Sequence, residues 1–230
     1  MRSLKLIAGG AGALVLLGGC GSDFAEGSVE DITKATSKDM KELESLRLKG
    51  DVTTDGQQVS MDMQMTTDGD CRGTVGLMGG EAEFLSIGGE TWFRPDEAFW
   101  RATAADRADQ IIALVGDKWV VLPPGEADVS SFCDLDELLD EFDDEDPDDD
   151  TTKGDTDEVR GEEAIIIEGE SDEGDPMKAW IAVDGKHYIL KLEVSQGDEP
   201  GVIELSDFDE DLDLEAPADE DVVDFNQAAG

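Results

Sequence analysis

From Arg47 to Arg94 apolar residues return at every second position, and a turn-forming pair interrupts them about every ten residues. No other feature constrains the fold as tightly. A period of two puts alternate side chains on opposite faces of an extended strand. Leu48, Gly50 and Val52 alternate with Arg47, Lys49 and Asp51. Asp55-Gly56 turns the chain into Val59, Met61, Met63 and Met65, set against Ser60, Asp62, Gln64 and Thr66. Asp68-Gly69, Gly79-Gly80 and Gly88-Gly89 then separate strands over Cys71–Met78, Glu81–Ile87 and Glu90–Arg94. The pattern predicts an antiparallel meander with one face toward a core.

Helical spacing flanks this meander. Val29, Ile32, Thr36, Met40, Leu43 and Leu46 follow three- and four-residue steps, so Ser28–Leu46 is expected to be an amphipathic helix with Ser28 and Asp31 at its start. After Pro95 come short helical stretches ending near Trp100, over Ala102–Leu114 and over Leu135–Phe142, with an extended piece at Lys118–Leu122. Strand pattern resumes over Ala164–Glu170, Met177–Val183, Tyr188–Val194 and Val202–Leu205. Helix, meander, helical insertion and second meander predict one α+β domain with a single large antiparallel curved sheet around a few helices.

Charge narrows the function. Fifty-nine acids against 17 Lys and Arg give a net charge of −42. No basic patch is visible, so nucleic acid and unaided adsorption to anionic lipid are excluded as binding modes. Asp134–Asp150 holds 12 acids in 17 residues, and residues 143–158 read as an acidic solvated loop. With 39% hydrophobic residues the chain is still able to build a core. Asp207, Asp209, Asp211 and Asp213 imitate a calcium loop, but Leu212 and Ala218 occupy positions that need Gly and Glu. One His, His187, disfavours His-based catalysis, and no nucleophile, zinc or phosphate-loop motif is present. No catalytic residue, metal or cofactor is expected.

The N-terminus reads as an address. Arg2 and Lys5 precede an apolar run over Leu6–Leu17, which is too short for a stable membrane span. Leu17-Gly18-Gly19-Cys20 then matches a bacterial lipobox, in which the Cys20 thiol is alkylated. Residues 1–19 are expected to be a lipoprotein signal peptide, 20–27 a lipidated polar tether and 28–230 the folded domain. Two acyl chains, at about 0.8 kcal/mol per buried methylene, anchor stably where one is marginal. The expected location is the extracytoplasmic face of a cell membrane. Cys71 and Cys133 remain as an even pair in an exported chain, and a disulfide between them is the expected fate.

Several runs together resemble a known group. They are Gly-Gly-Glu-Thr-Trp-Phe-Arg-Pro-Asp-Glu-Ala-Phe-Trp over Gly88–Trp100, Val-Gly-Asp-Lys-Trp over Val115–Trp119, Ala-Trp-Ile-Ala-Val over Ala179–Val183, and Ile-Glu-Leu-Ser-Asp-Phe over Ile203–Phe208. With the lipobox and the capped helix they resemble actinobacterial LolA-like lipoproteins of the mycobacterial LprG/LppX type. The resemblance covers most of Ser28–Asp224. It implies a half-barrel sheet with helices over its concave side and an apolar cavity that holds acyl chains of lipids or lipoglycans. It brings no catalytic residues, and a monomer is expected. The extreme acidity and the Asp143–Asp150 run depart from the group, so no specific cargo carries over.

On this basis Met61, Met63, Met65, Leu85, Ile87, Trp92, Leu190 and Leu192 are the candidate lining of a ligand cavity. The bland alternative is that the Met stripe and the tryptophans are ordinary sheet core, and the two readings overlap. A second class of function is a structural or interaction lipoprotein with a filled core and an acidic, weakly cation-binding surface.

Overall fold

The computed structural model describes residues 21–122, 133–140, 150–171 and 174–224. The lipobox, Cys20 and most of the acidic run lie outside these residues. Helices α1 (Gly21–Ala25) and α2 (Val29–Met40) lead into a first meander. It consists of β1 (Ser45–Thr54), β2 (Gln57–Thr66), β3 (Cys71–Leu77), β4 (Gly80–Ile87) and β5 (Glu90–Pro95). Helices α3 (Glu97–Thr103) and α4 (Ala108–Val115), strand β6 (Trp119–Leu122) and helix α5 (Leu135–Asp140) follow. The second meander is β7 (Thr152–Val159), β8 (Glu162–Glu170), β9 (Pro176–Ala182), β10 (Ile189–Val194) and β11 (Gly201–Ser206). A last short strand, β12 (Val222–Asp224), returns to the far edge.

All twelve strands form one sheet in the order β12-β6-β5-β4-β3-β2-β1-β11-β10-β9-β8-β7. Every neighbouring pair is antiparallel except β12 with β6. The sheet is open and curled, and its two meanders meet where β1 pairs with β11. Among the described residues no helix is long and apolar enough to cross a membrane.

Register fixes the faces. Leu46 and Leu48 sit opposite Met65 and Met63, which sit opposite Cys71 and Gly73, and these opposite Ser86 and Phe84. This row shares one core cluster with Ile32, Met40 and Leu43 at the α2 end and with Leu135 and Leu139 of α5. Ile165, Ile167, Ile181, Ile189 and Leu205 extend the cluster across the second meander. The helices therefore cover the Met face of the sheet. A second, smaller cluster of Val159, Ala164, Trp180, Ala182 and Leu190 lies on the other face.

Three expectations need correction. The first helix ends at Met40, capped at Lys41, and Leu46 is a strand residue. Leu43 and Leu46 stay in the core, so the helical spacing was satisfied by a turn and a strand. Residues 152–158 are strand β7, so the acidic segment expected to be a loop is an edge strand over that part. Residues 21–25 are a helix packed on the domain, with Phe24 and Ala25 against the main cluster, where a polar tether was expected.

Candidate ligand-binding site

The Met stripe lies on β2 at the middle of the first meander. Met63 is 1% exposed and Met65 4%, while Met61 is half-buried. Gly73 on β3 makes room for Met63: a Cβ there would fall 2.3 Å from Met63 Sδ and 2.4 Å from the Asp62 carbonyl oxygen. Gly50 on β1 plays the same part at the seam, where a Cβ would fall 2.3 Å from the Val202 carbonyl oxygen.

Three pieces of helix cover the stripe. Helix α2 starts at Ser28, whose Oγ accepts from the Asp31 amide at 3.1 Å and donates to Asp31 Oδ2 at 2.7 Å. It contributes Ile32 and Met40 to the core. Helix α5 contributes Leu135 and Leu139, and Cys133, just before it, is bonded to Cys71 with 5.5 Å between Cα atoms. The expected disulfide is present, and it ties α5 to the strand beside the Met stripe. Helix α3 brings Phe99 edge-on to Phe93, 5.6 Å between ring centres.

The eight predicted lining residues do not share one surface. Met61, Met63, Met65 and Leu192 face the helices within or against the main cluster. Leu85 and Trp92 pair with each other on the opposite face, and Ile87 falls there by the same alternation. The inward residues of β4 and β5 are Ala82, Phe84 and Phe93. Leu190 sits in a register shift between Ile189 and Lys191, which turns it into the second cluster.

A polar knot closes the end of the sheet near the N-terminal helix. The Phe24 ring stacks on His187 at 3.5 Å, and Lys153 Nζ donates to the carbonyls of Ala25 and Gly27. The His187 amide donates to Asp39 Oδ2 at 2.9 Å, and Lys186 Nζ donates to Asp39 Oδ1 at 3.2 Å. Burial pushes the Asp39 carboxyl up, but the His187 amide and Lys186 together hold it below the usual carboxylate range. Burial and the hydrogen bond to Asp209 push the Tyr188 hydroxyl up to about 12. Sequence reasoning missed this knot. Its one signal was an aromatic residue, Phe24, inside a segment otherwise small and polar.

Two hollows among the described residues are polar and lie at the surface. One, of about 630 Å³, is lined by Arg47, Arg160, Lys186, Tyr188 and Phe208 among others. The other, of about 280 Å³, lies between Asp51, Gln58, Met78 and Asp96. Ile32, Met40, Met63, Met65, Leu135 and Leu139 are buried in one cluster between the sheet and the helices.

No protein-family model matches the chain, and neither does any curated protein. Solved structures do. LprF from Mycobacterium bovis superposes over 82% of this chain and 96% of its own, at 16% identity and a TM-score of 0.58. The Mycobacterium tuberculosis lipoprotein LppX superposes over 82% of this chain and 100% of its own, at 16% identity and a TM-score of 0.53. Backbone and motif resemblance agree, and the chain has the fold of LprF and of the lipoprotein LppX.

Proposed function

We propose that this chain is a lipoprotein held on the extracytoplasmic face of a membrane by acyl groups on Cys20, and that it carries or presents an apolar ligand between its sheet and its helices. The carrying observation is the curled twelve-stranded sheet with a methionine-lined face under short helices. Methionine suits such a role because its unbranched, polarizable side chain repacks around ligands of irregular shape. Met61, Met63, Met65 and Leu192 are the residues of the original lining that fit this reading. A ligand enters by displacing side chains now buried between the sheet and the helices.

The test is native mass spectrometry and lipid extraction of the Cys20→Ala chain. Co-purifying lipid that is lost in Met63→Trp supports the reading, and a chain that never carries lipid sinks it. The near-complete burial of Ile32, Met40 and Met63 favours a second reading, a structural lipoprotein whose acidic surface meets envelope partners or cations. Calorimetry with Ca²⁺ separates the two, since saturable heat lost on deleting residues 143–150 belongs to the second alone.

A further inference from the structure

We propose that the 630 Å³ hollow at the loop between β9 and β10 binds the headgroup of a zwitterionic phospholipid, its phosphodiester against Arg160, Lys186 and Arg47. This rests on the reading that the chain is anchored through Cys20.

Charge distribution carries the first step. Only 17 Lys and Arg stand against 59 acids, yet three cations converge on this hollow. The two arginines each keep one loose pair on this side: Arg47 Nη1 stands 3.6 Å from Asp207, and Arg160 Nη1 stands 3.8 Å from Glu204. A phosphate oxygen can come closer to these two Nη1 atoms, while Arg47 keeps Asp62 at 2.7 Å and Lys186 keeps Glu42 at 2.6 Å and Asp39 at 3.2 Å. Glu162, Asp184, Asp207 and Glu210 also line the hollow. That mixture repels a purely anionic ligand and suits a phosphate with an ammonium next to it.

Backbone conformation carries the second. Arg160 has φ 51° at the first position of the two-residue β7–β8 turn, followed by Gly161 at φ 89°. The matching position of the β1–β2 turn holds Asp55, a residue suited to this region. An arginine there costs about 1–2 kcal/mol. Its side chain crosses to the Leu205 carbonyl and reaches the hollow. Asp207, in the same wall, has φ 51°, and Asp209, which holds the Tyr188 hydroxyl, has φ 55°. Asp suits this conformation, so Arg160 is the strained member of the group, and a strained arginine kept in the wall of a hollow points to a functional site.

Position carries the third. Lys186 and Tyr188 flank His187, on which Phe24 stacks. Phe24 is four positions from Cys20, at most about 14 Å of chain. Acylation of Cys20 would therefore bring the hollow close to the headgroup layer.

The test is calorimetric titration of the full chain, in maltoside micelles, with glycerophosphoethanolamine. Saturable binding is expected, weakened about tenfold or more in Arg160→Asn and in Lys186→Gln. Arg94→Gln, on a distant strand, leaves it unchanged. Asn-Gly suits the turn better than Arg-Gly, so Arg160→Asn loses the ligand while keeping its melting temperature. No saturable heat, equal binding of inorganic phosphate, or variants that bind like the parent each overturn the proposal. Acylation is read separately from the mass of the Cys20 peptide, so an acylated chain that binds no headgroup loses this proposal and keeps the anchor.

Discussion

Asp39 shows how single residues hold the covering helix to the sheet. Its carboxylate joins the end of α2 to the loop before β10 through the His187 amide and Lys186. Its folded pKa is depressed, so its contribution is fully present above the unfolded value and disappears as pH falls through the folded one. Asp39→Asn is expected to lose about 1–3 kcal/mol at pH 7, and the gap from the parent should narrow below about pH 4. Urea unfolding at pH 7 and pH 3 reads both. Gly73→Ala tests the packing of the stripe: pushing Met63 aside should destabilise by about 1–3 kcal/mol. At this scale the sequence was readable on β2 and ambiguous on β4. Val59, Met61, Met63 and Met65 alternate with polar residues, so their face was legible. Phe84-Leu85-Ser86-Ile87 is apolar on both parities, and only the pairing of Cys71 with Ser86 decides which side turns inward.

The elements differ in what keeps them in place. Helix α2 begins with a reciprocal Ser28–Asp31 cap, and Ser28→Ala should lower stability by about 1 kcal/mol in thermal melts. Helix α5 has six residues, too few to be stable alone, and leans on Leu135, Leu139 and the bond from Cys133 to Cys71. Replacing both cysteines by Ala should cost about 2–5 kcal/mol in urea unfolding, and the apolar dye ANS should then bind. Strand existence was legible wherever a turn pair followed an alternating run. The end of α2 was not, because Met40, Leu43 and Leu46 satisfy a helical step although the chain has already turned at Lys41. Strand β7 was hidden for another reason. An edge strand needs only backbone pairing with β8, and of its eight side chains only Val159 is buried. Its acids read as a loop, and in place they guard an edge.

For the whole molecule, the net charge of −42 acts on stability more than on shape. The two core clusters are apolar, and the acids lie mainly outside them. Self-repulsion of that shell is screened within about 8 Å at physiological ionic strength and reaches much further in dilute buffer. Melting temperature is therefore expected to rise with added salt, by about 2–4 °C for each 1 kcal/mol of repulsion relieved in a chain of this size. Calorimetric melts in 10 mM and about 1 M NaCl check it, and a flat response would show that the shell is already neutralised.

The position of β1 has a consequence for assembly in time. Each meander is a run of neighbouring hairpins that closes as soon as its own residues are available. The seam between β1 and β11 joins strands from opposite ends of the chain. If the chain crosses a membrane N-terminus first, as proposed, half of its sheet can form while the edge of β1 stays unpaired until the last strands arrive. Arg47, Lys49 and Asp51 stand along that waiting strand. Charge placed there delays wrong partners without preventing the right one, since β11 brings Glu204 opposite Lys49.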